Sequence, residues 1–152
     1  MTLQELKDYF EKICLSHREI NEFYTGNDYN QAEQITHKYP LIFYELPYFI
    51  NYSFDPNRLV DEVQFSFNVF VQSNFDNIDN DHNAISKAKE IGDAIITYIN
   101  QTAKHFVFIR ADATSVREFT DDSVAGMRFE TTILLPREIC ESSNWVKLFN
   151  FN

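Results

Sequence analysis

Residues 116–136 read VREFTDDSVAGMRFETTILLP. Two strand-like runs, VREF and MRFETTILL, flank a small acidic segment and the last of the chain's three glycines, Gly126. Strand formers on both sides of a turn-forming segment predict a β-hairpin. HFVFIR at 105–110 reads as a strand just upstream. The hairpin therefore closes a sheet, and the fold turns on what the rest of the chain adds to it.

The clearest strand lies earlier. Val63, Phe65, Phe67, Val69 and Val71 alternate with Gln64, Ser66, Asn68, Phe70 and Gln72. The period of two sends the first set to a core and leaves the second mostly facing solvent. Before it, PLIFYELPYFINYSF at 40–54 is dense in aromatics. Pro47 lacks a ladder donor, so the stretch predicts a strand over about 41–46 and a second extended piece over 48–54. DPNR at 55–58 is a turn signal.

Two helices complete the pattern. Thr2 and Glu5 match a capping box, in which each side chain satisfies the other's free backbone N–H. Leu6, Phe10, Ile13, His17 and Ile20 follow at helical spacing, predicting a helix from about 3 to 19. A second helix, over about 84–102, aligns Ala84, Ala88, Ile91, Ile95 and Tyr98 or Ile99. Gly92 lies beside that stripe and costs about 1 kcal/mol against alanine; close approach to a sheet explains it. Residues 21–39, NEFYTGNDYNQAEQITHKY, lose any period and read as a loop or arm of unusual length. Tyr24 and Tyr29 within it are contact aromatics or staples to the core. The order of elements predicts one α+β domain over 1–152: a single, largely antiparallel sheet packed against two main helices, with a C-terminal aromatic tail at 137–152.

Thirteen Lys and Arg against 23 Asp and Glu give a net charge of −10. Such a surface repels a nucleic-acid backbone and argues against a DNA- or RNA-reading role. The apolar runs are too short to span a bilayer, and MTLQELKDYFEK is acidic where a signal peptide is basic. A soluble intracellular product is the expectation. Cys14 and Cys140 lie far apart and read as two thiols in a reducing compartment.

The sharpest chemical pattern is DNDHNAISKAKE at 79–90, where Asp79, Asp81, Asn83 and Glu90 occupy positions 1, 3, 5 and 12 of a calcium loop. Ala84 stands where the loop needs glycine, and a strand precedes it rather than a helix. Asp81 or Asn83 as a helix N-cap accounts for the same residues more simply. The four histidines are scattered without ligand spacing. Asp112, Glu118, Asp121 and Asp122 include a candidate carboxylate pair, but turn and strand-edge carboxylates are mostly solvated. The residues point to no active site, cofactor or metal. The tail CESSNWVKLFNFN carries Trp145, Phe149 and Phe151, which must dock on this domain or on a neighbouring subunit.

Four stretches carry a resemblance: YPLIFYEL after the opening helix, EVQFSFNVFVQ as the long strand, AISKAKEIGDAIITYI as the second helix, and VREFTDDSVAGMRFETTILL at the end. In this succession, with acidic residues before an Ala-Gly step and a last strand, the chain resembles the tail-terminator and head–tail connector proteins of tailed bacteriophages. The likeness covers roughly residues 3–136 and rests on arrangement. The loop at 21–39 and the tail at 137–152 extend past the family's minimal core, which leaves the position within the virion open. The resemblance implies a non-enzymatic virion protein, made in the host cytoplasm, that forms a homo-oligomeric ring through which DNA passes. Its partners would be copies of itself and neighbouring connector, portal-side or tail proteins, with no membrane and no sequence-specific nucleic acid. Tyr24, Tyr29, Asp121, Asp122, Trp145, Phe149 and Phe151 are the expected contact residues. A non-viral α+β adaptor domain and a small ligand-binding domain or enzyme are the other readings the residues allow.

Overall fold

The computed structural model describes residues 1–26, 37–46, 48–52, 60–73, 77–118 and 123–136. Helix α1 (Leu3–Ser16) opens the chain, and its capping box forms as the sequence predicts: the Glu5 amide donates to Thr2 Oγ1 at 3.2 Å, and the Thr2 amide to Glu5 Oε2 at 2.7 Å. Strands β1 (Glu22–Gly26), β2 (Leu41–Glu45), β3 (Phe49–Tyr52) and β4 (Val60–Gln72) follow. Helix α2 (Ile78–Thr102) then leads to β5 (Val107–Glu118) and β6 (Val124–Pro136).

All six strands belong to one sheet, in the order β1-β2-β4-β6-β5, with β3 beside β4. Its spine is the antiparallel pair β4–β6, in register from Val60 opposite Pro136 to Gln72 opposite Val124. The closing hairpin pairs as expected, although Val107–Arg110 and Val116–Glu118 belong to one continuous strand, β5, with a register shift between Phe108 and Arg110. Between β2 and β3, five steps along the chain, Tyr44 to Phe49, answer three steps along β4, Phe67 to Gln64. The extra residues lie between Tyr44 and Phe49, so β2 and β3 are two separate strands, as expected; Pro47 itself lies outside the described residues.

Both helices pack on one face. Leu6, Phe10 and Cys14 of α1 and Ala88, Ile91, Ile95 and Ile99 of α2 share a core with Tyr44, Phe65, Phe67, Val69, Met127, Phe129 and Ile133 of the sheet. Phe67 and Phe129 sit on adjacent strands with rings stacked, centroids 4.9 Å apart and 8° from parallel. Gly92 lies directly over Phe129, where an added Cβ would run into the ring. The close approach inferred from the glycine is therefore real.

Four expectations need correction. Residues 22–26 of the expected loop form β1, which pairs parallel with β2; the other pairings are antiparallel, so the single sheet is mixed but largely antiparallel, as expected. Helix α1 ends at Ser16, and the third buried position is Cys14, four residues after Phe10, in place of Ile13 or His17. Helix α2 begins at Ile78, and Asn77 caps it by accepting from the Asp79 amide at 2.9 Å, not Asp81 or Asn83. The far face of β4 is not uniformly wet. Asn68 and Phe70 are buried, because Phe70 joins Leu41, Phe43 and Val124 in a second apolar cluster flanked by Tyr24, Tyr39 and Val116.

Two glycines test this packing. An added Cβ at Gly126 would strike the carbonyl oxygen of Val69, a backbone atom that cannot turn aside, whereas at Gly92 the obstacle is a ring. Overpacking of this kind costs about 1–3 kcal/mol, more than the roughly 1 kcal/mol that alanine gains over glycine in a helix. Both Gly126→Ala and Gly92→Ala should lower the denaturation midpoint, Gly126→Ala by more. A higher midpoint for Gly92→Ala would show that α2 does not press on Phe129.

Candidate functional site

The face of the sheet away from the helices carries a polar strip built across three strands. Arg128 of β6 grips Glu45 of β2 with both arms, Nε to Oε1 at 2.9 Å and Nη2 to Oε2 at 2.8 Å. Asn68 of β4 donates to the same Glu45 Oε1 at 2.6 Å, and Arg128 Nη2 also donates to Ser66 Oγ at 3.2 Å. Arg128 is further paired with Glu130, and on β5 Arg110 with Asp112. A shallow, open depression runs along this strip between Gln64, Ser66, Arg110, Asp112, Glu130 and Thr132. Phe49 stands 63% exposed at its border.

The strip's electrostatics suit it to holding a surface in shape. Burial alone would push the Glu45 carboxyl up, but the Arg128 guanidinium and the Asn68 amide hold it below the usual 4.5. The same Glu45 contact raises Arg128 above its ordinary value. A carboxylate pinned in its ionised form by a bidentate guanidinium is a poor proton donor near neutrality. The geometry makes a stiff polar platform.

A second polar knot lies where β4, α2, β5 and β6 meet. Ser73 donates to Asp81 Oδ1 at 2.6 Å, Arg117 contacts Asp81 Oδ2 at 2.7 Å, and the Ser73 amide donates to the Ser123 carbonyl at 2.8 Å. Asp81 thus works as a buried brace between α2 and β5. Asp79, Asp81, Asn83 and Glu90 all lie on α2, and Asp79, Asn83 and Glu90 are exposed. A helix cannot wrap these positions around one ion as a loop does. Among the described residues, no three His, Cys, Asp or Glu side chains gather as a metal site.

Of the contact residues expected from the sequence, Tyr24 is half-buried on β1. Its ring stacks on Phe43 at 5.8 Å and meets His37 edge-on at 5.5 Å, placing it in the second apolar cluster. Tyr29, Asp121, Asp122, Trp145, Phe149 and Phe151 lie outside the described residues. The structure adds surfaces that the sequence reading did not single out. Leu15 and Tyr98 are 49% and 52% exposed on the helical side. Along the border strand β5, residues 109–115 and Arg117 are exposed, and Val116 is half-buried. No helix among the described residues is long and apolar enough to cross a membrane.

Because the Glu45 carboxyl lies lower folded than unfolded, its contribution is present above the unfolded value and lost as the pH falls through the folded one. Between about pH 5 and pH 3 the wild type should lose stability in part through this group. Glu45 is partly solvated, so Arg128→Met should cost only about 1 kcal/mol at neutral pH, or roughly 2–4 °C of melting temperature. It should also flatten the acid-side slope, and thermal melts across that pH range would show an unchanged slope if the pair contributes nothing. Compared with known proteins, the chain matches no family model and no curated protein sequence.

Proposed function

We propose that this chain is a structural subunit of a tailed-bacteriophage virion, joining copies of itself into a ring at the head–tail junction or tail end. One observation carries the assembly reading. Large apolar side chains stand in solvent on both sides of the two-layer body, Leu15 and Tyr98 on the helical side and Phe49 beside the polar strip. A ring needs two different surfaces on each subunit, so that the front of one copy meets the back of the next. A stiff sheet between those surfaces keeps the angle from copy to copy constant, and a closed ring requires that.

The place in the virion comes from the resemblance in element order, and the charge accords with it. A net −10 per chain, repeated around a bore, repels DNA and lets it slide rather than stick. Connector, portal-side or tail proteins would meet the two rims of the ring. In this reading the Glu45–Arg128 strip shapes a contact surface and performs no chemistry.

The test is the state of the purified chain. Electron micrographs should show closed rings of one size, with a solution mass that is a fixed multiple of 18.0 kDa. Leu15→Glu, Tyr98→Glu and Phe49→Glu should each reduce the ring fraction. Their melting temperature should barely move, since exposed positions shift stability by only about 0.5 kcal/mol. Surface variants that leave the oligomer intact, or a mass of one chain at every concentration, would overturn the ring.

A further inference from the structure

We propose that the outer edge of β5 is a self-complementary pairing site, at which a second copy of this chain adds its own β5 antiparallel about a two-fold axis through Thr114. Such pairing needs only the edge and is independent of any place in a virion.

Border strands usually carry protection: lysine, proline, a covering loop or a bulge that turns the edge away. Strand β5 has one irregularity, between Phe108 and Arg110. Beyond it the pairing with β6 is unbroken for nine residues, Arg110 to Glu118. This run, RADATSVRE, has no proline and no lysine. Its inner edge is bonded to β6, and its side chains are small and exposed from Ala111 to Ser115. Among the described residues no strand pairs with the outer edge, so its backbone groups form an open row.

The sequence of that run selects the partner and the register. In an antiparallel ladder alternate residues point their N–H and C=O to the same side, so outward groups of two copies meet only if opposed residue numbers add to an even number. With Thr114 opposite its own copy, that condition holds and all nine residues pair. Arg110 then faces Glu118, Asp112 faces Val116, and Ala113 faces Ser115, each pairing occurring twice. Residues of opposite charge take opposed register positions at both ends of the ladder, a threonine pair sits on the axis, and no like charges are opposed. A shift by two residues, to an axis at Ala113, opposes Arg110 to Val116 and loses both ion pairs. Shifting the other way, to an axis at Ser115, opposes Asp112 to Glu118.

A two-fold contact closes on itself and cannot run around a ring. It therefore joins two free subunits, or a subunit of one ring to a subunit of another, and leaves ring closure to the faces carrying Leu15, Tyr98 and Phe49. The product is one continuous sheet running through both copies, with the helices of both on the same side.

Cross-linking of the full chain tests the pairing. Directly opposed Cα atoms in such a ladder lie about 4.5–5.5 Å apart, within reach of a disulfide. Thr114→Cys, made with Cys140→Ser, should give a covalent dimer on mild oxidation, while Lys89→Cys in the same background, on the exposed face of α2, should not. A charge-reversal set then reads the register. Arg110→Glu should weaken the dimer about tenfold, since two attractive pairs become repulsive. Adding Glu118→Arg should restore it. Lys89, Arg110 and Thr114 are exposed, and circular dichroism of each variant checks that it is folded. Absence of the Thr114→Cys cross-link, in monomers or in rings, overturns the proposal. So does a double reversal that fails to recover the dimer.

Discussion

The stacking of Phe67 on Phe129 across the centre of the sheet is the contact on which the rest of this structure depends. It joins the two strands of the spine side by side, with the rings 4.9 Å apart. Phe10 reaches Phe67 at 4.9 Å from α1, and α2 presents Gly92 to Phe129 from above. Both helices are thus seated on the same ring pair, and the aromatic contacts spread outward to Phe65 and Tyr44. A Cβ at position 92 would run into the Phe129 ring, so α2 and that ring would have to part.

The two faces of the sheet are organised on different principles. The helical face is held by apolar burial, which has no directional preference. The opposite face is divided between a small aromatic cluster around Phe43 and Phe70 and a strip of ion pairs centred on Arg128. Fixed partners on that strip hold long side chains in single positions, leaving a surface of defined shape rather than a mobile polar coat. Such a division suits a body whose faces and border meet other proteins.

Much of this was readable from local signals. Thr2 and Glu5 announce the start of α1 because capping is a matter of residues three apart. Val63 to Val71 announce β4 because one side of the strand is buried from Val63 to Val69, and Gly92 announces a close approach because glycine inside a helix costs stability. Other features were not readable, for reasons that are physical. The first turns of α2 carry an outward Ile78 and an inward Asp81, the reverse of an amphipathic helix, so periodicity begins only at Ala84. Strand β1 is a short parallel partner of β2 whose hydrogen bonds come from residues about twenty positions away. Alternation in β4 assumes one wet face, and Phe70 breaks that assumption because apolar cover also lies on the far side. Of the candidate site, the charged residues were visible one by one, but Arg128 and Glu45 are separated by 83 positions and only the fold brings them together.

That separation has a consequence for how the molecule is made. The spine unites Val60 with Pro136, so the middle of the sheet waits for β6 to leave the ribosome. Until then the emerging chain has α1, α2 and the earlier strands but lacks the ladder that seats them, and its phenylalanines are open to chaperones or to other nascent chains. Contacts this distant in sequence close slowly, on the order of milliseconds to seconds in small domains. The sheet is therefore completed only after translation has passed β6.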